Sequence, residues 1–253
     1  MKIGIILGSA RPGGNSKGLV VWLLSLISHY SIIINNNSTS SCVDEFNNES
    51  PTSTSTNTSF EYIYLYPDAP VHPLGPVMDD IIAAMIPKTA GNNVSNTYQY
   101  NDINIQQWSN LVSSCDGYII LTPQYNWGYP GDMKNAMDHL YKEWHNKPAM
   151  IVTYGGHGGN KCGMQLRQVL HGFKMKLVEE EVSITLPEDY IRGSARMKPC
   201  DFHNTNYKSK FESKTVSCNT EVDEAGEVEV KHMHGFLKEY ELSIQNATTA
   251  FMK

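Results

Sequence analysis

The stretch Gly117-Tyr118-Ile119-Ile120-Leu121-Thr122, followed by Pro123-Gln124-Tyr125-Asn126-Trp127-Gly128-Tyr129-Pro130, decides the fold. Its first half is an apolar run typical of a buried strand. An amphipathic helix is predicted after the loop, from about Asp132 to Trp144. The loop itself carries three aromatic rings, an Asn and a Gln. This inventory at a strand tip favours a flat ligand with a polar edge. The alternative is that these rings belong to the core or to a dimer interface.

Strand-like and helix-like segments alternate outward from this stretch, which indicates a parallel sheet covered by helices. Strands are predicted at residues 2–7, 60–65, 118–121, 149–153 and 176–184. Five strands with crossover helices predict an α/β fold, a flavodoxin-like doubly wound parallel sheet of order 2-1-3-4-5 with helices on both faces. In that order the ligand lies at the switch between strands one and three.

The length of 253 residues predicts a single domain over residues 1–253 with two insertions. Residues 35–59 are mostly Asn, Ser and Thr, and residues from about 196 to 231 contain few large apolar side chains. Neither stretch can bury enough apolar surface to offset the entropy of ordering. Both are therefore predicted to be disordered insertions.

Charge and cysteine content restrict the possible partners and location. The net charge of −6 argues against a nucleic-acid partner or an anionic membrane surface. The five cysteines are scattered without a CxxC or Cys/His cluster, so no metal site is expected. An odd cysteine count, with no signal-peptide pattern and no run of transmembrane length, predicts reduced thiols and a cytoplasmic location.

The loop after the first strand reads Gly8-Ser9-Ala10-Arg11-Pro12-Gly13-Gly14-Asn15-Ser16 and predicts a phosphate site. Glycines let a backbone approach a ligand, and free amides at a helix N-terminus bind anions. Ser9, Arg11, Asn15 and Ser16 can add side-chain hydrogen bonds. The loop matches neither the P-loop nor the GxGxxG pattern. The alternative is an ordinary strand-to-helix turn.

The loop after the fourth strand, Tyr154-Gly155-Gly156-His157-Gly158-Gly159, supplies a third candidate wall. Its amides could face a carbonyl edge that gains negative charge on reduction. His157 could donate a hydrogen bond to that edge, although a lone loop histidine is more often structural.

Taken together, these motifs resemble the NADPH-dependent FMN reductase family. The family's G-S-x-R, P-x-Y-N and K-N-A-x-D motifs correspond to Gly8–Arg11, Pro123–Asn126 and Lys134–Asp138. The similarity is good over residues 1–30, strong over 108–176 and weak beyond 187. The stretch from Leu140 to Gly159 is especially similar to the fungal quinone and FMN reductases.

The resemblance implies a non-covalently bound FMN and a homodimer. It assigns the phosphate to Ser9, Arg11, Asn15 and Ser16, although which of Asn15 and Ser16 reaches it stays open. It assigns the ring and ribityl chain to Pro123, Gln124, Tyr125, Asn126, Trp127 and Gly128, and the pyrimidine edge to Gly155, Gly156 and His157.

The function implied is that of an NAD(P)H-dependent FMN reductase or quinone reductase. Hydride would pass from the nicotinamide to FMN N5 and then, in a ping-pong sequence, to a quinone or another small redox acceptor. No side chain is expected to act as a nucleophile, because the flavin carries the chemistry. The alternatives are a flavin redox-sensing module that binds a protein partner and a flavodoxin-type electron carrier.

Overall fold

The computed structural model describes residues 1–11, 13–39, 59–64, 81–87, 98–198 and 235–252. The strands are β1 (Lys2–Leu7), β2 (Ser59–Tyr64), β3 (Gly117–Pro123), β4 (Pro148–Gly155), β5 (Lys176–Leu177) and β6 (Val182–Thr185). The helices are α1 (Ser16–Thr39), α2 (Ile103–Ser113), α3 (Gly131–Asp138), α4 (Asn160–Gly172), α5 (Glu188–Ile191) and α6 (Glu241–Phe251). Single 3₁₀ segments lie at Ala83–Met85, Lys142–Trp144 and Gly235–Tyr240.

The strands form a parallel sheet in the order β2-β1-β3-β4-β5, with β6 also paired to β4. This order and the helices on both faces confirm the predicted flavodoxin-like fold. The predicted fifth strand is divided into the two short strands β5 and β6, which pair with the beginning and the end of β4.

The core lies on both faces of the sheet because successive strand residues point to opposite sides. In β3, Ile119 and Leu121 pack with α1 and α6, whereas Tyr118 and Ile120 pack with α2, α3 and α4. All four side chains are fully buried. Their uninterrupted apolar run is therefore what a central parallel strand requires.

The prediction of one helix from Asp132 to Trp144 is wrong. Helix α3 ends at Asp138, and Tyr141 leaves the helical region with φ −143° and ψ −62°. A separate 3₁₀ turn then returns Trp144 to the core, where it is fully buried. The apolar periodicity continues across the break because the helix and the turn bury the same side.

The two predicted insertions lie mostly outside the described residues. Of residues 35–59, the described part is the end of α1 at residues 35–39 and Ser59, which opens β2. At the second insertion, residues 196–198 are described, and the Met197 side chain is buried. Ordered chain thus extends past the predicted start at 196, whereas residues 199–231 lie outside the described part. None of the described helices is long and apolar enough to cross a membrane.

Parallel pairing places the carboxyl ends of β1, β3 and β4 at one edge of the sheet. Sheet hydrogen bonds continue into the loops. The Gly8 N–H donates to the Leu121 carbonyl at 2.9 Å, and the Gln124 N–H donates to the Tyr154 carbonyl at 2.9 Å. The three candidate loops therefore leave the sheet side by side from fixed positions.

Candidate functional site

The three loops enclose a cavity of about 370 Å³ at the carboxyl edge of the sheet. We call it the Arg11 cavity. Eight predicted site residues line it: Ser9, Arg11, Asn15, Pro123, Gln124, Tyr125, Gly155 and Gly156. No acidic residue in the described part of the chain lines this cavity. The predicted convergence of the loops is thus present, and its electrostatic character suits an anion.

Tyr125 joins the first loop to the third-strand loop. Its hydroxyl lies 3.0 Å from Ser9 Oγ, and its ring lies 4.8 Å below the guanidinium carbon of Arg11. Ser9 Oγ also accepts a hydrogen bond from the Arg11 N–H at 3.2 Å. The arrangement fixes Arg11 at the cavity wall by hydrogen bonding and by a cation–π contact.

Ser16 lies behind the wall of the Arg11 cavity. Its side chain is buried and is hydrogen bonded to the buried Tyr154 hydroxyl. Burial raises the pKa of Tyr154 well above its usual range, a rise that hydrogen bonds from Ser16 and Ser9 oppose in part. Tyr154 is consequently a neutral hydroxyl at physiological pH. Ser16 does not line the cavity, and its contact with the phosphate stays a prediction.

The Asn15 side chain is engaged within the protein. Its Nδ2 donates to the Tyr190 carbonyl at 2.9 Å, and its Oδ1 accepts from the Met197 N–H at 3.0 Å. Both partners lie in the segment after the last strand. Asn15 therefore links α1 to that segment.

A tight turn at Tyr125–Gly128 shapes the aromatic loop. The two end residues exchange N–H to carbonyl hydrogen bonds of 2.8 and 2.9 Å. The central residues both have positive φ, 48° for Asn126 and 69° for Trp127, as in a type I′ turn. A left-handed conformation costs a residue such as Trp about 1–2 kcal/mol. Such strain is typical of functional sites.

This turn presents Trp127 beside a second cavity of about 500 Å³, the Trp127 cavity. The residues around it are Gln124, Asn126, Trp127, Gly156, His157, Leu186, Glu188, Ile191 and Arg192. The Trp127 and His157 rings are stacked, with centroids 5.4 Å apart and planes 18° from parallel. Lys161 Nζ lies 3.7 Å from the Trp127 ring centroid. Tyr129, by contrast, packs against the core beside α3 and α4.

Gln124 is held by α4, and Gly128 faces the same helix. Gln124 Oε1 accepts from the Cys162 N–H at 3.2 Å in the first turn of that helix, while the rest of the residue lines both cavities. Gly128 lines neither cavity and faces Gln165, whose Oε1 would lie 2.9 Å from a Cβ at this position. Burial raises the pKa of the Cys162 thiol to about 12.

Comparisons with known proteins decide the family. The sequence pattern of the NADPH-dependent FMN reductases matches residues 77–188. An NAD(P)H-dependent FMN reductase of Saccharomyces cerevisiae is 35% identical over 197 residues, which is 76% of this chain and 87% of the relative. The chain belongs to the NADPH-dependent FMN reductase family. The predicted family is confirmed, and with it the enzyme class, an oxidoreductase that uses FMN and NAD(P)H.

Two other relatives match over shorter regions. An NAD(P)H-dependent FMN reductase of Schizosaccharomyces pombe is 46% identical over 92 residues, 36% of this chain and 46% of the relative. A quinone reductase of Escherichia coli K12 is 36% identical over 72 residues, 26% of this chain and 38% of the relative. The chain thus spans less than half the length of either of these two.

One segment that lines both cavities was not predicted from the sequence. The residues from Leu186 to Arg196 cover both cavities, and they include Tyr190 and Ile191 at the Arg11 cavity. Tyr154, Gly13 and Gly14 also line the Arg11 cavity and were not predicted as site residues, although they lie within the predicted loops. The usable signal was a pair of arginines, Arg192 and Arg196, in a short polar stretch after the last strand. That stretch has no apolar periodicity, and the resemblance to the family is weak there.

Proposed function

We propose that this chain is an FMN-dependent NAD(P)H oxidoreductase that passes reducing equivalents to a quinone or a similar small flat acceptor by a ping-pong sequence. The observation that carries the proposal is the pair of adjoining cavities. One combines a glycine-rich turn with Arg11, the other is walled by stacked rings, and both share Gln124, Gly156, Leu186 and Ile191. The quinone reductase relative supports the choice of acceptor.

The residues of the Arg11 cavity fit FMN. A Cβ at Gly13 would meet nothing within 4 Å, so the backbone of the first loop faces open space at the cavity. Arg11 forms no ion pair with any described carboxylate. Together with Ser9 these groups would hold the phosphate. Pro123, Tyr125 and the Gly155–Gly156 backbone would border the ribityl chain and the ring.

FMN, when bound, supplies the capacity to accept a hydride from the nicotinamide and to release it to the acceptor. The protein's contribution is to position the flavin and its substrates and to exclude competing reactions. The amides of Gly155 and Gly156 would donate hydrogen bonds to the edge of the ring that becomes negative. The Trp127–His157 stack would form a wall of the site where the two substrates bind in turn. If the nicotinamide and the acceptor share the Trp127 cavity, only one of them can occupy it at a time, as a ping-pong sequence requires.

The predicted homodimer is part of this proposal. Large apolar side chains are exposed at Ile81, Ile82 and Met85 and at the start of α2, at Ile103, with Ile82 at 70% exposure. Ile81, Ile82 and Met85 are close in the chain, and a contiguous exposed apolar patch favours an interface. Sedimentation equilibrium should report a dimer, and Ile82→Asp should shift the population toward the monomer. A monomeric wild type would remove this part of the proposal.

The decisive test is a visible spectrum of the purified protein followed by NADH and NADPH oxidation with one quinone. Flavin absorption and turnover are expected. A colourless protein that binds no added FMN and oxidises neither nucleotide would overturn the proposal. Initial rates at several fixed quinone concentrations should give parallel double-reciprocal lines. Intersecting lines would exclude the ping-pong sequence, and a stabilised semiquinone during titration would favour the electron carrier.

A further inference from the structure

We infer that Arg196 is a second cationic ligand of the FMN phosphate, and that Asn15 is the positioning residue that holds Arg196 in place. The inference rests on the proposed function and deepens it, since it assigns the anion end of the same site. It departs from the family-based expectation in two respects. Asn15 becomes a residue that supports the site instead of a phosphate ligand. Arg196 is added as a ligand, from a segment where the resemblance to the family is weak.

Asn15 anchors the chain on both sides of Arg196. Its Nδ2 holds the Tyr190 carbonyl at 2.9 Å, and its Oδ1 holds the Met197 N–H at 3.0 Å. Asn15 itself is 7% exposed. An amide side chain has one carbonyl oxygen and two N–H donors. The oxygen and one N–H are engaged, so a single N–H remains. Asn15 therefore mainly holds the two backbone groups and has little capacity left to bind a phosphate.

Met197 completes the anchor by packing against helix α1. A Cβ at Gly18 would lie 2.4 Å from the Met197 carbonyl carbon and 2.6 Å from its carbonyl oxygen. Glycine is required here because the Met197 backbone rests directly on the helix. Met197 is 1% exposed, so its side chain is part of the core. The neighbouring residue, Arg196, is thereby fixed at the rim of the first loop.

Arg196 lines the Arg11 cavity, and its positive charge is not neutralised by any described carboxylate. Its Nη1 donates to the carbonyls of Gly193 at 2.9 Å and Ala195 at 2.6 Å, which orients the guanidinium. A guanidinium has five N–H donors, so the Nε and Nη2 donors remain. No ion pair joins Arg196 to a described carboxylate. Arg196 and Arg11 line the same cavity. Two such guanidiniums match a phosphate monoester dianion.

The test compares FMN with riboflavin, which lacks the phosphate, by flavin fluorescence titration of wild type and Arg196→Gln. We expect FMN binding to weaken about 10- to 100-fold, the range for a hydrogen bond to a charged group, with riboflavin binding unchanged. The matched control is Arg192→Gln, which removes a cation from the same segment. It should leave the ratio of FMN to riboflavin affinity unchanged.

A double-mutant cycle tests the role of Asn15. If Asn15 acts through Arg196, then Asn15→Ala lowers the FMN to riboflavin ratio in the wild-type background and has little further effect in the Arg196→Gln background. Additive losses would overturn the positioning role, because they would mean that Asn15 contacts phosphate independently. Gly18→Ala displaces Met197 without altering Asn15, so it serves as the second route to the same cycle should Asn15→Ala fail to fold.

The outcomes separate this inference from the proposed function. If wild type binds FMN but Arg196→Gln keeps the wild-type ratio, the Arg196 assignment is wrong and the proposed function stands. If FMN binds and Arg196→Gln lowers the ratio but no NAD(P)H is oxidised, the assignment stands and the proposed function falls. If wild type binds neither flavin, both fall.

Discussion

The Arg11 end and the Trp127 end of the site are built differently. At the Arg11 end, polar groups of separate loops hold one another, and Ser9 is only 4% exposed. At the Trp127 end, rings stack face to face, and Trp127 is 50% exposed on a turn with positive φ. A rigid, hydrogen-bonded end suits a resident group, whereas a half-exposed aromatic wall suits molecules that come and go. The difference supports the proposal that the Arg11 end retains the cofactor and the Trp127 end admits the substrates.

The largest expected effect concerns Cys162, which lies beneath the aromatic loop. Burial raises its pKa from 9.0 to about 12, so the thiol stays protonated at pH 8. Its thiolate fraction should be about a thousandfold lower than at an ordinary cysteine, because each pKa unit is a factor of ten. Iodoacetamide labelling at Cys162, followed by mass spectrometry from pH 7 to 10, should therefore be very slow and should still be rising at pH 10.

The control is the same labelling in urea, where Cys162 should react as a free thiol. A native labelling rate that levels off near pH 9 would contradict the prediction, because it would show that Cys162 reacts with the pKa of an exposed thiol.

The second effect breaks the Arg11 end. Arg11→Ala should weaken FMN binding by ~1.5–3 kcal/mol, because a charge-assisted hydrogen bond to the phosphate is lost. Riboflavin should lose less, only what the contact between Arg11 and Tyr125 contributes. The FMN affinity of Arg11→Lys should lie between those of wild type and Arg11→Ala, since lysine keeps the charge but lacks the planar guanidinium. Fluorescence titration measures both flavins, and an unchanged FMN affinity would remove Arg11 from the phosphate site.

The third effect breaks the Trp127 end instead. Trp127→Ala removes the stacking partner of His157 and should raise the KM of NAD(P)H or quinone about fivefold, which corresponds to about 1 kcal/mol, the scale of an aromatic pair. FMN affinity should change much less. Steady-state kinetics beside FMN titration separates the two, with Trp127→Phe as the conservative control. A loss of FMN affinity as large as that of Arg11→Ala would erase the contrast between the ends.

The smallest effect sharpens the description of the aromatic wall. Lys161 Nζ lies 3.7 Å from the centroid of the Trp127 ring. At an exposed site this contact is worth about 0.5–1 kcal/mol. A double-mutant cycle of Lys161→Met and Trp127→Ala, followed by urea unfolding, should return a coupling of that size. Zero coupling would mean that Lys161 does not order the ring.

Sequence reasoning predicted the sheet and the meeting of its loops for clear physical reasons. Buried parallel strands are continuous apolar runs, as in β1 and β3, and the strand order then places their loops together. Sequence reasoning failed where two hydrogen-bonded residues are far apart in the chain. The hydrogen bonds of Asn15 join residues 175 and 182 positions apart, so no local pattern reports them.

Two further features were beyond the reach of sequence patterns. Positive φ at Trp127 contradicts the preference for glycine in such turns, so the turn type could not be read from Asn126-Trp127. Helix α3 ends at Asp138 although apolar spacing continues to Trp144, because a 3₁₀ turn can bury the same side.

The exposure of Trp127 also gives the protein an intrinsic fluorescent reporter. The chain has four tryptophans, and all of them lie among the described residues. Trp22, Trp108 and Trp144 are buried, at 4%, 1% and 0% exposure, whereas Trp127 is 50% exposed. Iodide should therefore quench one red-shifted emission component and spare the rest. Because indole emission overlaps flavin absorption, energy transfer from this ring would follow cofactor loading in real time without any attached dye.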